Sequence, residues 1–333
     1  MSDPKRVLVV RLSALGDVLL ATPAVRALSR RFPAARVDWL VESAYLPLVE
    51  ASPHARAVGY DKKGRHAGVR GLLALRRQLA TERYDLVVDL QDKPKTRLFH
   101  SLAPECLAWH KRTPAQALLS LVGREKPMTR AHAIDLYFEA LEPLGLKPDD
   151  RALELHLSPA HADEASRVVP RGRVAAIAPG ARWANKRWPP ERFAEVVRAL
   201  RERGFAPLLL GGPGDAETLA AVRAALPDGI PDTAGLGIGG LAAAIERSAV
   251  VVSNDSGPVH LASALGVPVV ALFGPTSPER WRPLSPRSEV VRRTLPCSPC
   301  SNHGAATCPL GHHDCLKDLP TEAVLAAVER VCA

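Results

Sequence analysis

The chain has 333 residues, more than one hydrophobic core usually serves, so two domains are expected. Hydrophobic residues make up 47% and charged ones 24%, the balance of an ordinary soluble globular protein, and no apolar run reaches the ~18 residues needed to span a bilayer. The net charge of +9 favours a polyanionic partner, but aromatic residues are only 5% and nowhere alternate with basic ones, so nucleic acid is disfavoured against an anionic membrane surface or a phosphorylated substrate. The N-terminus, M-S-D-P-K-R-V-L-V-V, enters a strand at once and lacks a signal-peptide core with a small-residue cleavage site. A cytoplasmic protein is expected.

Strand-like runs alternate with amphipathic helices, the pattern of an α/β protein with two parallel-sheet units. The first opens with a buried strand over Arg6–Leu12, a turn, and a helix that starts at a lone carboxylate, Asp17. Strands follow over Val37–Val41, Ala55–Tyr60 and Tyr84–Leu90, with a helix over Val69–Ala80. The basic runs Lys62–His66, Arg76–Gln78 and Lys93–Arg97 all lie in this half. A helix over Ala131–Leu144, stopped by Gly145, closes the unit. The second unit restarts with strands over Val174–Gly180, Ala206–Gly212, Ala249–Asn254 and Val267–Gly274, and a helix over Pro320–Val331 ends the chain. Apolar strands this continuous indicate sheets covered on both faces. The expected division is 1–157, a linker over 158–173 that includes a helix, 174–318, and a terminal helix over 319–333.

Ligands of doubly wound sheets lie beyond the carboxyl ends of the strands, so the turns there carry the candidates. In A-P-G-A-R-W-A-N-K-R-W-P-P, Gly180 makes the turn, and Arg182, Lys186 and Arg187 precede a helix, a setting that neutralises a diphosphate or is simply a basic loop. In L-G-G-P-G-D-A-E, Asp215 is either a helix N-cap or an acceptor of ribose hydroxyls; G-G-P-G is not a dinucleotide fingerprint. In S-N-D-S-G-P-V-H, Ser256 and Gly257 present N–H groups at a positive helix end beside Asp255, and His260 follows. In the first half, Asp17, with Gly16 beside it, is a candidate general base facing a cleft between the domains, or a helix-end acid favourable with the macrodipole.

Together R-L-S-A-L-G-D-V-L-L-A-T-P, Y-D-L-V-V-D-L-Q-D-K-P-K-T, A-P-G-A-R-W-A-N-K-R-W-P, L-G-G-P-G-D-A-E and S-N-D-S-G-P-V-H-L-A-S-A-L-G-V-P resemble glycosyltransferase family 9, the heptosyltransferases of the lipopolysaccharide inner core. The resemblance implies GT-B architecture: two Rossmann-like domains facing across a cleft, the first binding acceptor, the second nucleotide sugar, and the last helix crossing back toward the first. It implies inverting transfer of heptose from an ADP-heptose donor to a lipid A–Kdo or heptosylated core acceptor, at the inner face of the inner membrane. Asp17 then matches the general base, and Lys186 the lysine that meets the donor phosphates. Gly180, Arg182, Asp215, Leu236, Asp255, Ser256, Gly257 and His260 fall on the donor side, and Ser13, Gly16, Lys95 and Arg97 on the acceptor side.

No D-x-D motif signals a metal-bridged diphosphate, so no cofactor is expected in catalysis, and Lys186, Arg182 and the Ser256–Gly257 helix end would carry the leaving ADP. A single base suits inversion. Cys297, Cys300, Cys308 and Cys315 form C-x2-C-x7-C-x6-C, with His303, His312 and His313 nearby; structural zinc, free thiols and a redox pair all fit that spacing. Cys106 and Cys332 read as ordinary buried cysteines. The competing functions are transfer of another nucleotide sugar or to another acceptor, and a nucleotide-binding module without turnover.

Overall fold

The computed structural model describes residues 3–109, 131–226 and 228–333. They form two compact units, divided between His156 and Leu157, with residues 131–132 grouped with the second.

The first unit is a parallel five-stranded sheet in the order β3-β2-β1-β4-β5, with β1 Arg6–Val10, β2 Arg36–Glu42, β3 Arg56–Tyr60, β4 Leu86–Asp89 and β5 Glu105–Ala108. Val7 to Val10 are wholly buried, as a strand covered on both faces requires. β5 went unread because E-C-L-A is short and half-buried at the sheet edge. The expected helix after Asp17 is two: Leu15–Leu20, then Thr22–Arg31, whose first turn holds Pro23. Toward the unit's end, helix Ala133–Glu139 is followed by a 3₁₀ turn, Glu142–Leu144, and Gly145 stops it at φ +71°, a conformation that favours glycine.

The second unit is also parallel, in the order β10-β9-β8-β6-β7, with β6 Arg173–Ala178, β7 Phe205–Leu209, β8 Val250–Asn254, β9 Val269–Phe273 and β10 Ser288–Arg292. The helix of the stretch 158–173 is Pro159–Ser166, which packs on helix Ile238–Glu246 of this unit. The last helix, Thr321–Cys332, buries Val324, Ala327, Val328 and Val331 at i, i+3, i+4, i+7 spacing. That stripe packs on helix Pro190–Glu202 and on β8 to β10, in one core with Trp188, Phe193 and Leu316.

The strand orders differ, and each places a switch point. Chain direction across the first sheet reverses between β1 and β4, and across the second between β6 and β8. Such reversals open a crevice at the carboxyl ends of the two strands concerned. Asp17 follows β1; Lys186 and Asp255 follow β6 and β8.

Candidate active site

In the first unit, Asp17 stands in the first turn of its helix, its Oδ2 accepting the Ala14 N–H at 3.2 Å. Its Oδ1 takes two partners: Arg11 Nη2 at 2.5 Å and the Tyr137 hydroxyl, which donates at 2.8 Å. The Arg11 side chain is 7% exposed and that of Asp17 19%. Arg11 Nη1 also donates to the Leu90 carbonyl at 2.5 Å, and its guanidinium lies over the Tyr137 ring, 4.9 Å from the centroid. Burial works against the charge of Arg11, yet Asp17 opposite, with Tyr137 and Asp89, holds its pKa above the usual value. Tyr137 is fixed in turn by an edge-on contact with Trp109 at 5.7 Å. The adjacent β4 turn is tied to β1 by Gln91, whose Oε1 accepts the Leu12 N–H at 2.8 Å. Asp17 is thus an acid on a rigid support, at the sheet's switch point.

The expected acceptor-side residues divide. Ser13 and Gly16 share the turn of Asp17 and are half-buried. Lys95 lies on the rim beyond β4, its Nζ 3.6 Å from Glu42 Oε1 and 5.4 Å from the centre of the Tyr60 ring. Arg97 is engaged with Asp92 at 2.7 Å.

In the second unit, Asn254 at the end of β8 joins the two switch-point turns. Its Nδ2 donates to the Pro179 carbonyl at 2.8 Å, and its Oδ1 accepts the Trp188 N–H at 3.0 Å. That clamp sets Lys186 against Asp255, Nζ to Oδ2 at 2.6 Å, and the Thr276 hydroxyl donates to the same oxygen at 2.5 Å. The Lys186 and Asp255 side chains are 13% and 5% exposed. Helix Gly257–Ala264 begins immediately after, with Ser256 at its N-cap position and Pro258 in its first turn, so its N–H groups point to the same edge. His260 lies a turn inside this helix and is buried.

The remaining donor-side expectations are spread around that pair. Asp215 accepts the Gly212 N–H at 3.0 Å and presses on Gly180 so closely that a Cβ there would collide with its carboxylate, which is why position 180 is glycine. Leu236 is half-buried, its N–H bonded to the Thr233 carbonyl at 2.9 Å ahead of helix Ile238–Glu246. Arg182 is exposed and folded onto Trp183, 5.5 Å from the ring centre.

The cysteine cluster does not make a metal site. Among the described residues, no three His, Cys, Asp or Glu side chains are arranged to hold a metal ion, so structural zinc, one of the three readings of that spacing, is not supported. All four thiols are free. Cys315 is buried against Gly274, where burial pushes its thiol up to about 11, and Cys300 is exposed. Cys297 Sγ lies 3.9 Å from His312 Nε2. The loop they belong to braces the Lys186 turn instead. Buried Asn185 accepts the Ala305 N–H at 2.8 Å through Oδ1, and the His313 ring lies 2.7 Å from the Asn185 carbonyl.

Sequence reasoning missed Arg11, Tyr137, Asn185, Asn254 and Thr276 as supports of the site. Arg11 and Asn254 had a signal, since each stands at or just past a strand end. Tyr137 is 120 residues from Asp17 and had none.

Residues 72–310 match the family model described as glycosyltransferase family 9 (heptosyltransferase). Lipopolysaccharide heptosyltransferase 3 of Escherichia coli K12 is 29% identical over 298 residues, covering 80% of this chain and 82% of that one. Lipopolysaccharide heptosyltransferase 1 of Pseudomonas aeruginosa is 27% identical over 323 residues, 89% of this chain and 86% of its own. Among solved structures, a glycosyltransferase family 9 protein from Veillonella parvula superposes with a TM-score of 0.81 at 25% identity, covering 98% of this chain and 97% of that one. The ADP-heptose lipopolysaccharide heptosyltransferase II of E. coli superposes at 0.75 with 23% identity, covering 98% of each.

Proposed function

The chain belongs to glycosyltransferase family 9 and is a glycosyltransferase, and from that premise we propose that it moves a heptose from ADP-L-glycero-D-manno-heptose to the Kdo or heptose of the lipopolysaccharide inner core, with inversion. The observation that carries this reading is the pair of switch-point sites, one an acid on a rigid support, the other a lysine beside a helix N-terminus. The names of the curated relatives support the donor and acceptor class.

In the proposed reaction Asp17 takes the proton of the acceptor hydroxyl as its oxygen attacks the anomeric carbon. The bond from that carbon to the ADP oxygen breaks with its electron pair on the diphosphate. One displacement at one centre inverts its configuration. Negative charge then grows on the β-phosphate, and the groups suited to meet it are Lys186 Nζ and the N–H groups that open helix Gly257–Ala264. Lys186 is already charge-paired with Asp255, so the incoming phosphate competes for it. Its four-carbon stem allows the exchange without moving the backbone. In this reading Asp215 accepts ribose hydroxyls, a role supported by the room Gly180 leaves for its carboxylate; Leu236 meets the adenine, and Asp255 and His260 serve the donor sugar. Ser13, Gly16, Lys95 and Arg97 are the acceptor side.

Among the described residues no helix is long and apolar enough to cross a membrane, and the proposed place of action is the inner face of the inner membrane, as a peripheral protein. The test is transfer from ADP-heptose to truncated lipopolysaccharide acceptors, with products read by mass. A heptose mass added to a Kdo- or heptose-terminated acceptor is expected. ADP binding with no product on any acceptor or nucleotide sugar would overturn the reading.

A further inference from the structure

The helix after β3, Gly68–Ala80, has two apolar stripes and only one of them is used. Gly71, Leu75 and Leu79, at i, i+4 and i+8, are buried on the sheet. Val69 and Leu73, again four apart, stand on another face, 75% and 37% exposed. Among the described residues, large apolar side chains are exposed at only one other place, Leu310. Val69 and Leu73 therefore lie side by side, one turn apart, on the solvent side of the helix.

The exposed charged residues of that helix and of the turn before it are all cationic, and Asp61, at the start of the turn, accepts the Gly64 and Arg65 N–H groups at 2.9 and 3.0 Å. Arg70 and Arg77, seven apart and exposed, flank Val69 and Leu73 on the same helix. Lys63 and Arg65 stand exposed in the turn that leads into it. Three carboxylates of the first unit are engaged elsewhere: Lys62 and Lys95 flank Glu42, and Arg36 and Arg56 hold Asp38 and Glu82. Arg70 and Arg77 make no ion pair among the described residues. Exposed cations bordering an apolar stripe are the signature of a helix lying in the plane of an anionic bilayer surface, apolar residues at the acyl boundary and guanidinium groups among the headgroups.

The position fits that partner. The turn from Asp61 to Ala67 leaves the carboxyl end of β3, the same sheet edge that carries Asp17 after β1 and Lys95 after β4. The first turn of the helix, with Val69 and Arg70, therefore follows directly from that edge.

We propose that the face of helix Gly68–Ala80 bearing Val69, Arg70, Leu73 and Arg77, with Lys63 and Arg65 beside it, is a docking surface for an anionic lipid bilayer. Its use in presenting a membrane-held acceptor rests on the transfer reaction proposed above; the docking itself does not.

The experiment is co-sedimentation of the full chain with vesicles of phosphatidylethanolamine and phosphatidylglycerol, and with phosphatidylcholine alone, without donor or acceptor. Binding to the anionic vesicles, weakening as salt rises, and little to phosphatidylcholine are expected. The double variant Arg70→Glu/Arg77→Glu should lose about tenfold or more of its partition, since each basic residue near such a surface contributes substantially. Val69→Ser/Leu73→Ser should lose severalfold while keeping the wild-type melting temperature and wild-type turnover on a detergent-free, delipidated acceptor. Equal binding to both vesicle types, or wild-type partition of the Arg70→Glu/Arg77→Glu protein, would overturn the proposal. So would a concentration-dependent dimer that Val69→Ser/Leu73→Ser dissociates, which would assign the face to a second copy of the chain. Vesicle binding of this kind by a chain that transfers no sugar would remove the transfer reading and leave the surface standing.

Discussion

Two aspartates follow the strands at the two switch points, and each is bound to a cation, yet the pairs are built differently. Asp17 meets Arg11, whose guanidinium is buried, bonded to the Leu90 carbonyl and stacked on Tyr137. Arg11 is thus held at two further points besides Asp17. Asp255 meets Lys186, a single ammonium on a flexible stem held on a 3₁₀ turn, Ala184–Lys186. A guanidinium fixed in several directions suits support of an acid; an ammonium held at one atom suits release to a competing anion. The same residue class, aspartate, is thus held in place in the first unit and serves as a resting partner in the second.

The largest effect that tests this contrast is at Asp17 itself. Asp17→Asn is expected to lower kcat by about a thousandfold, the usual range for a general base, with ADP affinity by calorimetry unchanged. Wild-type-like turnover would remove Asp17 from the chemistry. Next is Lys186→Ala, expected to lower kcat by about a hundredfold and to weaken ADP binding as well, because its proposed partner is the diphosphate. If Lys186 only stabilised Asp255, ADP affinity would stay the same while the melting temperature fell.

Tyr137→Phe sharpens the first half of the comparison. It removes a donor from the ionised carboxylate, so protonation of the base becomes easier and the acid limb of the kcat/KM profile should move to higher pH, with about a tenfold loss in rate on that limb. An unshifted profile would reduce Tyr137 to packing. The smallest expected effect lies away from both sites, in the network at the other edge of the first sheet. Hydrogen bonds from Arg36 and then Arg56 take Glu82 from the ordinary 4.5 down to about 2. A depressed carboxylate contributes its stability above the ordinary value and loses it as pH falls toward the folded one. Glu82→Gln should therefore melt slightly lower at neutral pH than the wild type, with the gap closing between pH 4.5 and pH 2 in thermal melts.

The strands and the carboxyl-end turns were legible because their signals are local. β1, β2, β4, β6, β8 and β9 are apolar runs ending at a polar residue or a glycine, and Asp17, Lys186 and Asp255 stand just beyond such ends. The edge strands β5 and β10 were not legible: E-C-L-A and S-E-V-V-R carry polar residues and pack on one neighbour each. The cysteine spacing invited a metal, but spacing fixes only the chain distance between thiols, not their directions. Here Cys315 turns into the core and Cys300 toward solvent, while the loop's contacts go to Asn185.

The sequence by itself determined the alternation of apolar strands with helices and the residue types at each turn, since both depend on neighbours within a few positions. Only the tertiary structure decided strand order, and with it which turns meet at a switch point. Pairing β6 with β8 rather than with β7 alone brings Lys186 to Asp255 across 69 positions of chain. Packing of helix Ala133–Glu139 brings Tyr137 to the same oxygen of Asp17 as Arg11. No local pattern encodes such meetings, because their contacts form when the sheet and the helices covering it come together.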